Sequence, residues 1–184
     1  MFWPESRQRV NAITFFAGIA ALATFFVYKQ ATQIGQPGMI NVGQRAPGFA
    51  IKDEHGQQIN LSDYQGKLVF LHFWASWCAP CIHEAPDLEW LKNEMKGQPF
   101  ELLAVSIDIE EDSVREFDKR YHATMPALLD PGQQIAHGLY KITGQPETFL
   151  ISPDGVVLKH IIGPVAWSRP EVIASIRSML PASY

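Results

Sequence analysis

Residues 68–91, LVFLHFWASWCAPCIHEAPDLEWL, restrict the possible folds more than any other stretch, because an apolar run passes directly into two cysteines and an amphipathic segment. Residues 68–74 are rich in aromatic and branched side chains and long enough for a central strand, with His72 their only polar member. Over residues 79–95 the apolar positions Ile82, Ala85, Leu88, Leu91 and Met95 recur every three to four residues, the period of a helix with one buried face. Cys78 and Cys81 therefore fall where a strand ends and a helix begins.

A thiol at a helix N-terminus meets unpaired backbone N–H groups and the positive end of the helix dipole. Both favour the thiolate, which can then form well below the ordinary thiol value of ~8.5. A spacing of three residues puts the two sulfurs on one side of the first turn, close enough to bond. Cys78 is expected to be the exposed nucleophile, and Cys81, one turn on, the shielded thiol that closes the disulfide and expels the substrate. The competing uses are a structural disulfide or half of a zinc site. The chain has two cysteines in all, and no second ligand pair of recognisable spacing accompanies them. A haem attachment site needs His directly after the second Cys, and Ile82 is there. A disulfide across so short a loop constrains little of the unfolded chain. Redox chemistry is the reading these observations favour, with no metal assigned.

The stretch Trp74-Ala75-Ser76-Trp77-Cys78-Ala79-Pro80-Cys81 resembles the active site of the thioredoxin superfamily, and most of all its bacterial membrane-anchored TlpA, ResA and CcmG (DsbE) branch of thiol–disulfide oxidoreductases. The resemblance runs from Gly43 to Leu180 and includes Pro47-Gly48-Phe49, residues 61–67 (LSDYQGK) and Gly144-Gln145-Pro146-Glu147-Thr148-Phe149. It implies an α/β, thioredoxin-like fold: a central mixed sheet flanked by helices, with an added N-terminal β-hairpin. In that family the proline matching Pro146 is cis, lies against the sulfurs, and exposes the preceding backbone to an extended substrate by strand addition. Gln145 stands where the family has a small or branched residue. The ResA and CcmG types carry a functional acid at the position of Glu84, so the resemblance makes Glu84 the group that holds or accepts the proton moved in exchange. His72 stands where cytosolic thioredoxins have Asp and this branch often has Asn; it is either a satisfied core residue or a proton relay to Cys81. Trp74 and Trp77 read as packing, Trp77 also as a contact surface beside the nucleophile, and Pro80 suits the first helical turn.

Within 184 residues, this leaves one domain over 43–184 and an N-terminal extension. Residues 12–27 are almost wholly apolar, with Arg7 and Arg9 before them and only Lys29 close behind. That asymmetry predicts a cytoplasmic start over 1–9, a signal-anchor helix over 10–28 and a linker over 29–42. A cleaved signal peptide is the rival; Tyr28, Lys29 and Gln30 offer it no small-x-small site. The domain is then expected on the periplasmic side of the bacterial inner membrane. A net charge of −4 argues against nucleic acid.

The elements expected along the domain are a hairpin from 49–51 and 58–61, strands over 100–107 and 127–129, helices over 110–121 and 133–140, a second hairpin from 148–151 and 156–162, and a closing helix over 169–180. The functional expectation is a membrane-anchored reductase of substrate protein disulfides, needing no cofactor. By resemblance its client is a protein such as apocytochrome c, bearing an oxidised Cys-x-x-Cys-His, and its electron donor a membrane carrier of the DsbD or CcdA type. Two alternatives stand beside it. A peroxiredoxin-like thiol peroxidase needs Thr or Ser three residues before its cysteine, where Ala75 is found; a Sco-like copper-delivery module has three residues between its cysteines, and here only His137 and His122 are conceivable distal ligands.

Overall fold

The computed structural model describes residues 40–53, 55–121, 123 and 127–182. The expected N-terminus and anchor helix, and most of the linker, lie outside them; among the described residues no helix is long and apolar enough to cross a membrane. The short strands β1 (Ala50–Lys52) and β2 (Gln58–Asn60) pair antiparallel as a separate hairpin. Asp53 closes its turn by accepting the N–H groups of His55 and Gln57. Leu61, expected at the end of β2, instead begins a 3₁₀ turn, Leu61–Tyr64. The Asp63 carboxylate accepts both the backbone N–H and the side-chain amide of Asn60 there, which ends the strand.

The main sheet is mixed, in the order β5 (Ala127–Leu129), β4 (Phe100–Ser106), β3 (Leu68–Trp74), β6 (Glu147–Ile151), β7 (Val157–Ile162). The pairs β3–β4 and β4–β5 are parallel, whereas β6 is antiparallel to both β3 and β7. All seven residues of β3 are buried, as a central strand covered on both faces requires. Its alternating side chains make aromatic contacts on both faces. Phe70 meets Trp167 edge-on at 4.7 Å and Trp74 meets Phe117 at 4.7 Å, while Phe73 lies 5.4 Å from Tyr140, which in turn lies 5.0 Å from Phe149. Burial pushes the Tyr140 phenol far above its ordinary range, and its O–H donates to the Pro47 carbonyl at 2.9 Å.

Helix α1 (Ala79–Glu94) buries Cys81, Glu84, Ala85, Leu88 and Leu91; of the expected stripe Ala85, Leu88, Leu91 and Met95 are buried, whereas Ile82 is only half-buried. Helix α2 (Glu111–Tyr121) buries Val114 and Phe117, and α3 (Pro170–Arg177) buries Ile173 and Ile176. The helix expected over 133–140 is a π-helical segment, Gln134–Leu139. The buried Asp130 carboxylate accepts three successive N–H groups, from Gln134, Ile135 and Ala136, and so caps its wide first turn. The thioredoxin-like α/β architecture, with its extra N-terminal hairpin, is the one the motifs imply.

Candidate active site

Strand β3 delivers the chain to Ala75, and two interactions shape the loop that follows. The Ser76 backbone N–H and hydroxyl donate to the two oxygens of Asp108, each at 2.8 Å, and the Ser106 hydroxyl donates to the same carboxylate at 2.6 Å. Asp108, buried just beyond β4, therefore holds the loop beside β3 in register with its neighbour. Cys78 is the N-cap of α1 and accepts the Cys81 N–H on its sulfur at 3.3 Å. Pro80 sits in the first turn, where its missing N–H leaves no intrahelical bond unmade. The sulfurs form a disulfide across a Cα separation of 5.3 Å.

The Gln145–Pro146 peptide is cis, and the Gln145 carbonyl lies 3.7 Å from Cys78 Sγ. The backbone of Gln145, rather than its longer side chain, thus meets the sulfur. Cys78, expected to be exposed, is only 5% accessible in this disulfide form, and Cys81 2%. The order of accessibility is as expected, but an exposed nucleophile is not present while Cys78 is bonded inward to Cys81 and faced by that carbonyl. Trp77, in contrast, is 64% exposed, so of the two tryptophans only Trp74 is core.

Glu84 lies one turn beyond Cys81 on α1 and is 4% exposed. Its Oε2 accepts the Trp167 indole N–H at 2.9 Å and the Val165 backbone N–H at 3.2 Å. Its Oε1 is 3.3 Å from His72 Nε2, within ion-pair range, and accepts no hydrogen bond from any other group among the described residues. His72 Nδ1 is 2.9 Å from the Thr148 hydroxyl, and the two residues are register partners across β3 and β6. His72 is therefore linked to Glu84 and Thr148.

Glu147, the residue after Pro146, organises the other wall. Its Oε1 accepts the Thr143 N–H at 2.6 Å, the Thr143 hydroxyl at 2.7 Å and the Gly144 N–H at 3.2 Å; its Oε2 meets His160 Nε2 at 2.7 Å. Burial by itself raises the Glu147 carboxyl, but the bonds from His160 and Thr143 outweigh it and hold the group below its ordinary value. The loop that carries cis-Pro146 is thereby tied to β6 and β7. Asp108 and Trp167 gave no sequence signal of their own, since neither belongs to a motif. The conceivable copper ligand His137 has its Nδ1 2.9 Å from the Ile142 carbonyl, and His122 lies outside the described residues.

A disulfide at the mouth of a helix, faced by the backbone before a cis-proline in a thioredoxin-like sheet, defines a thiol–disulfide oxidoreductase. Residues 42–160 match the AhpC/TSA family, to which the chain belongs. It is 37% identical to the thiol-disulfide oxidoreductase ResA of Bacillus cereus over 79% of each chain, and 39% identical to that of Bacillus subtilis over 67% of this chain and 69% of the other. A crystal structure assigned as the thiol:disulfide interchange protein DsbE of Chlorobium tepidum superposes with a TM-score of 0.66 at 31% identity, over 76% of this chain and 95% of that one. The chain is accordingly a ResA/DsbE-like thiol–disulfide oxidoreductase that acts on disulfide-containing proteins.

Proposed function

We propose that the enzyme works as a reductase outside the cytoplasm, held to the bacterial inner membrane by residues 10–28, and that it reduces the Cys-x-x-Cys-His disulfide of an apocytochrome c. The observation that carries the chemistry is the Cys78 sulfur at the start of α1 with the Gln145 carbonyl beside it. An extended polypeptide pairing with the backbone before Pro146 brings its own disulfide to that sulfur. The Cys78 thiolate attacks one substrate sulfur, forming a mixed disulfide and releasing the other as a thiolate. Cys81 then gives up its proton and attacks Cys78, breaking the mixed disulfide and releasing the second substrate thiolate. Two electrons have passed to the substrate, whose thiolates take protons from water. Because Cys81 is buried, its proton needs a buried acceptor, and Glu84 on the same helical face is that group. A membrane dithiol carrier of the DsbD or CcdA type restores the dithiol.

The support for the location is the apolar run over 12–27 with Arg7 and Arg9 before it. The peroxidase alternative is weakened because Ala75 brings no hydroxyl to the sulfur. The test is a pair of variants presented with an oxidised Cys-x-x-Cys-His peptide. Cys78→Ser abolishes reduction, whereas Cys81→Ser accumulates a Cys78–peptide adduct visible by mass spectrometry. An adduct formed through Cys81 in Cys78→Ser, and none in Cys81→Ser, reverses the roles. Reduction of insulin but not of this peptide removes the proposed client and leaves the enzyme class standing.

A further inference from the structure

Glu84, one turn beyond Cys81 on α1, does not stand alone: His72 of β3, by its sequence either a core residue or a relay to Cys81, is in contact with its carboxylate. Oε2 of Glu84 is committed, since two N–H donors, from Val165 and Trp167, point at it. A proton on Glu84 therefore sits on Oε1, the oxygen with no hydrogen-bond partner, and Oε1 faces His72 Nε2 at 3.3 Å. Both side chains are at most 3% accessible. A lone carboxylate at such a depth is costly, and one added proton makes the pair neutral overall wherever it resides between the two atoms.

The far side of the imidazole permits both protonation states. Thr148 Oγ1, 2.9 Å from Nδ1, is a hydroxyl and can either accept from Nδ1–H or donate to a bare Nδ1. Facing a carboxylate, the neutral ring carries its proton on Nε2 and takes the Thr148 hydrogen at Nδ1. With one more proton held between Oε1 and Nε2, the ring carries a proton on Nδ1 and donates it to Thr148. The groups that face this pair are thus Glu84 from α1, Thr148 from β6, and Val165 and Trp167 from the segment after β7. Among the described residues, Glu84 is the charged side chain in contact with the ring.

We propose that His72 is a positioning residue that shares with Glu84 the proton released by Cys81, so that the protonation of its ring follows the redox state of the disulfide 78–81. The inference rests on the reductase reading for the origin of that proton. When Cys81 S–H is consumed in forming the disulfide, its proton is loaded between Oε1 and Nε2. When a dithiol reduces the disulfide, the pair supplies that proton again or releases it to water as the thiols take theirs from the donor.

Ring-nitrogen resonances distinguish the two neutral tautomers and the cation. The full chain in detergent, labelled with ¹⁵N at the histidine rings, is compared as disulfide and as dithiol after equilibration with dithiothreitol, His72 being assigned by its loss in His72→Asn. Nδ1 of His72 is expected to be protonated in the disulfide form and bare in the dithiol form, and this difference is expected to vanish in Glu84→Gln. A second readout needs no variant spectrum. Reduction by dithiothreitol should release one more proton to unbuffered solution in the wild type than in Glu84→Gln. Identical Nδ1 states in the two redox forms of the wild type overturn the proposal, as does a redox-dependent change that survives in Glu84→Gln. Because the measurement is made at equilibrium with a small dithiol, it stands apart from turnover. Failure to reduce protein disulfides would sink the reductase reading, whereas a His72 ring indifferent to the disulfide sinks only the shared proton.

Discussion

Of the four carboxylates buried among the described residues, Asp130 caps the π-helical segment, and the other three do different work around the site according to what each accepts. Asp108 takes donors from Ser76 and Ser106 and fixes the loop before the nucleophile; Glu84, one turn beyond Cys81, has one oxygen without a hydrogen bond and facing His72; Glu147 is saturated and braces the cis-proline loop. The last invites a stability test. A carboxyl whose native value is depressed contributes stability that is present above its ordinary value, near 4.5, and lost as pH falls through the native value. Glu147→Gln removes the charge while keeping the size. At pH 7 it should cost about 1–3 kcal/mol, the penalty for leaving buried partners unsatisfied. Thermal midpoints followed from pH 7 to 3 should also show a shallower decline for the variant below pH ~4.5. Parallel curves would mean that Glu147 carries no linked proton.

The elements trace their boundaries to local chemistry, with tertiary burial deciding where local chemistry conflicts. Pro86 lies inside α1, where it removes a backbone donor and opposes continuation of the helix. The helix persists because its apolar face is anchored on both sides of that proline, by Cys81 and Ala85 before it and by Leu88 and Leu91 after it. Leu91 is fully buried and belongs to no part of the site. Leu91→Ala should therefore lose about 2–5 kcal/mol in urea unfolding, while the alkylation rate of Cys78 in the folded, reduced protein stays unchanged. A selective effect on Cys78 with little loss of stability would place the support of the site elsewhere. In the π-helical segment, the wide turn follows from the three N–H groups gathered on Asp130, a capping pattern that apolar periodicity cannot distinguish from an ordinary helix.

Considered as a molecule, the enzyme is an electron carrier whose reactive face must reach a protein substrate. The disulfide is flanked by exposed apolar side chains: Trp77 precedes Cys78, and Ile162, 60% exposed, is the register partner of Glu147 next to the cis-proline. The clefts beside Lys52, Glu111 and Arg115 and beside Arg45 and Tyr64 are lined by neither cysteine. A surface site of this kind suits a polypeptide, and the proposed anchor would confine it near the proposed membrane electron donor. The proposed topology predicts that an alkaline phosphatase fused after residue 184 is active, and that the fusion protein remains in the membrane fraction after carbonate washing. An inactive reporter, or a mature chain beginning beyond residue 30, would remove the anchor.

What was legible in the chain was local. The run 68–74, the thiols at 78 and 81 and the helical stripe that follows each act on their immediate neighbours, so strand, nucleophile and helix could be placed from residue type and spacing, while the substrate edge before Pro146 was placed by the family resemblance. What could not be read were the partnerships between distant segments. Trp167 reaches Glu84 across 83 positions, and Asp108 holds Ser76 across 32. His72 and Glu84 lie in neighbouring elements, yet nothing in their spacing shows that a strand side chain and a helix side chain will face each other. Those contacts depend on how β3, α1 and the segment after β7 pack together. Apolar burial drives that packing without direction, and its geometry alone decides which buried polar atoms find partners and which, like Glu84 Oε1, are left facing a histidine.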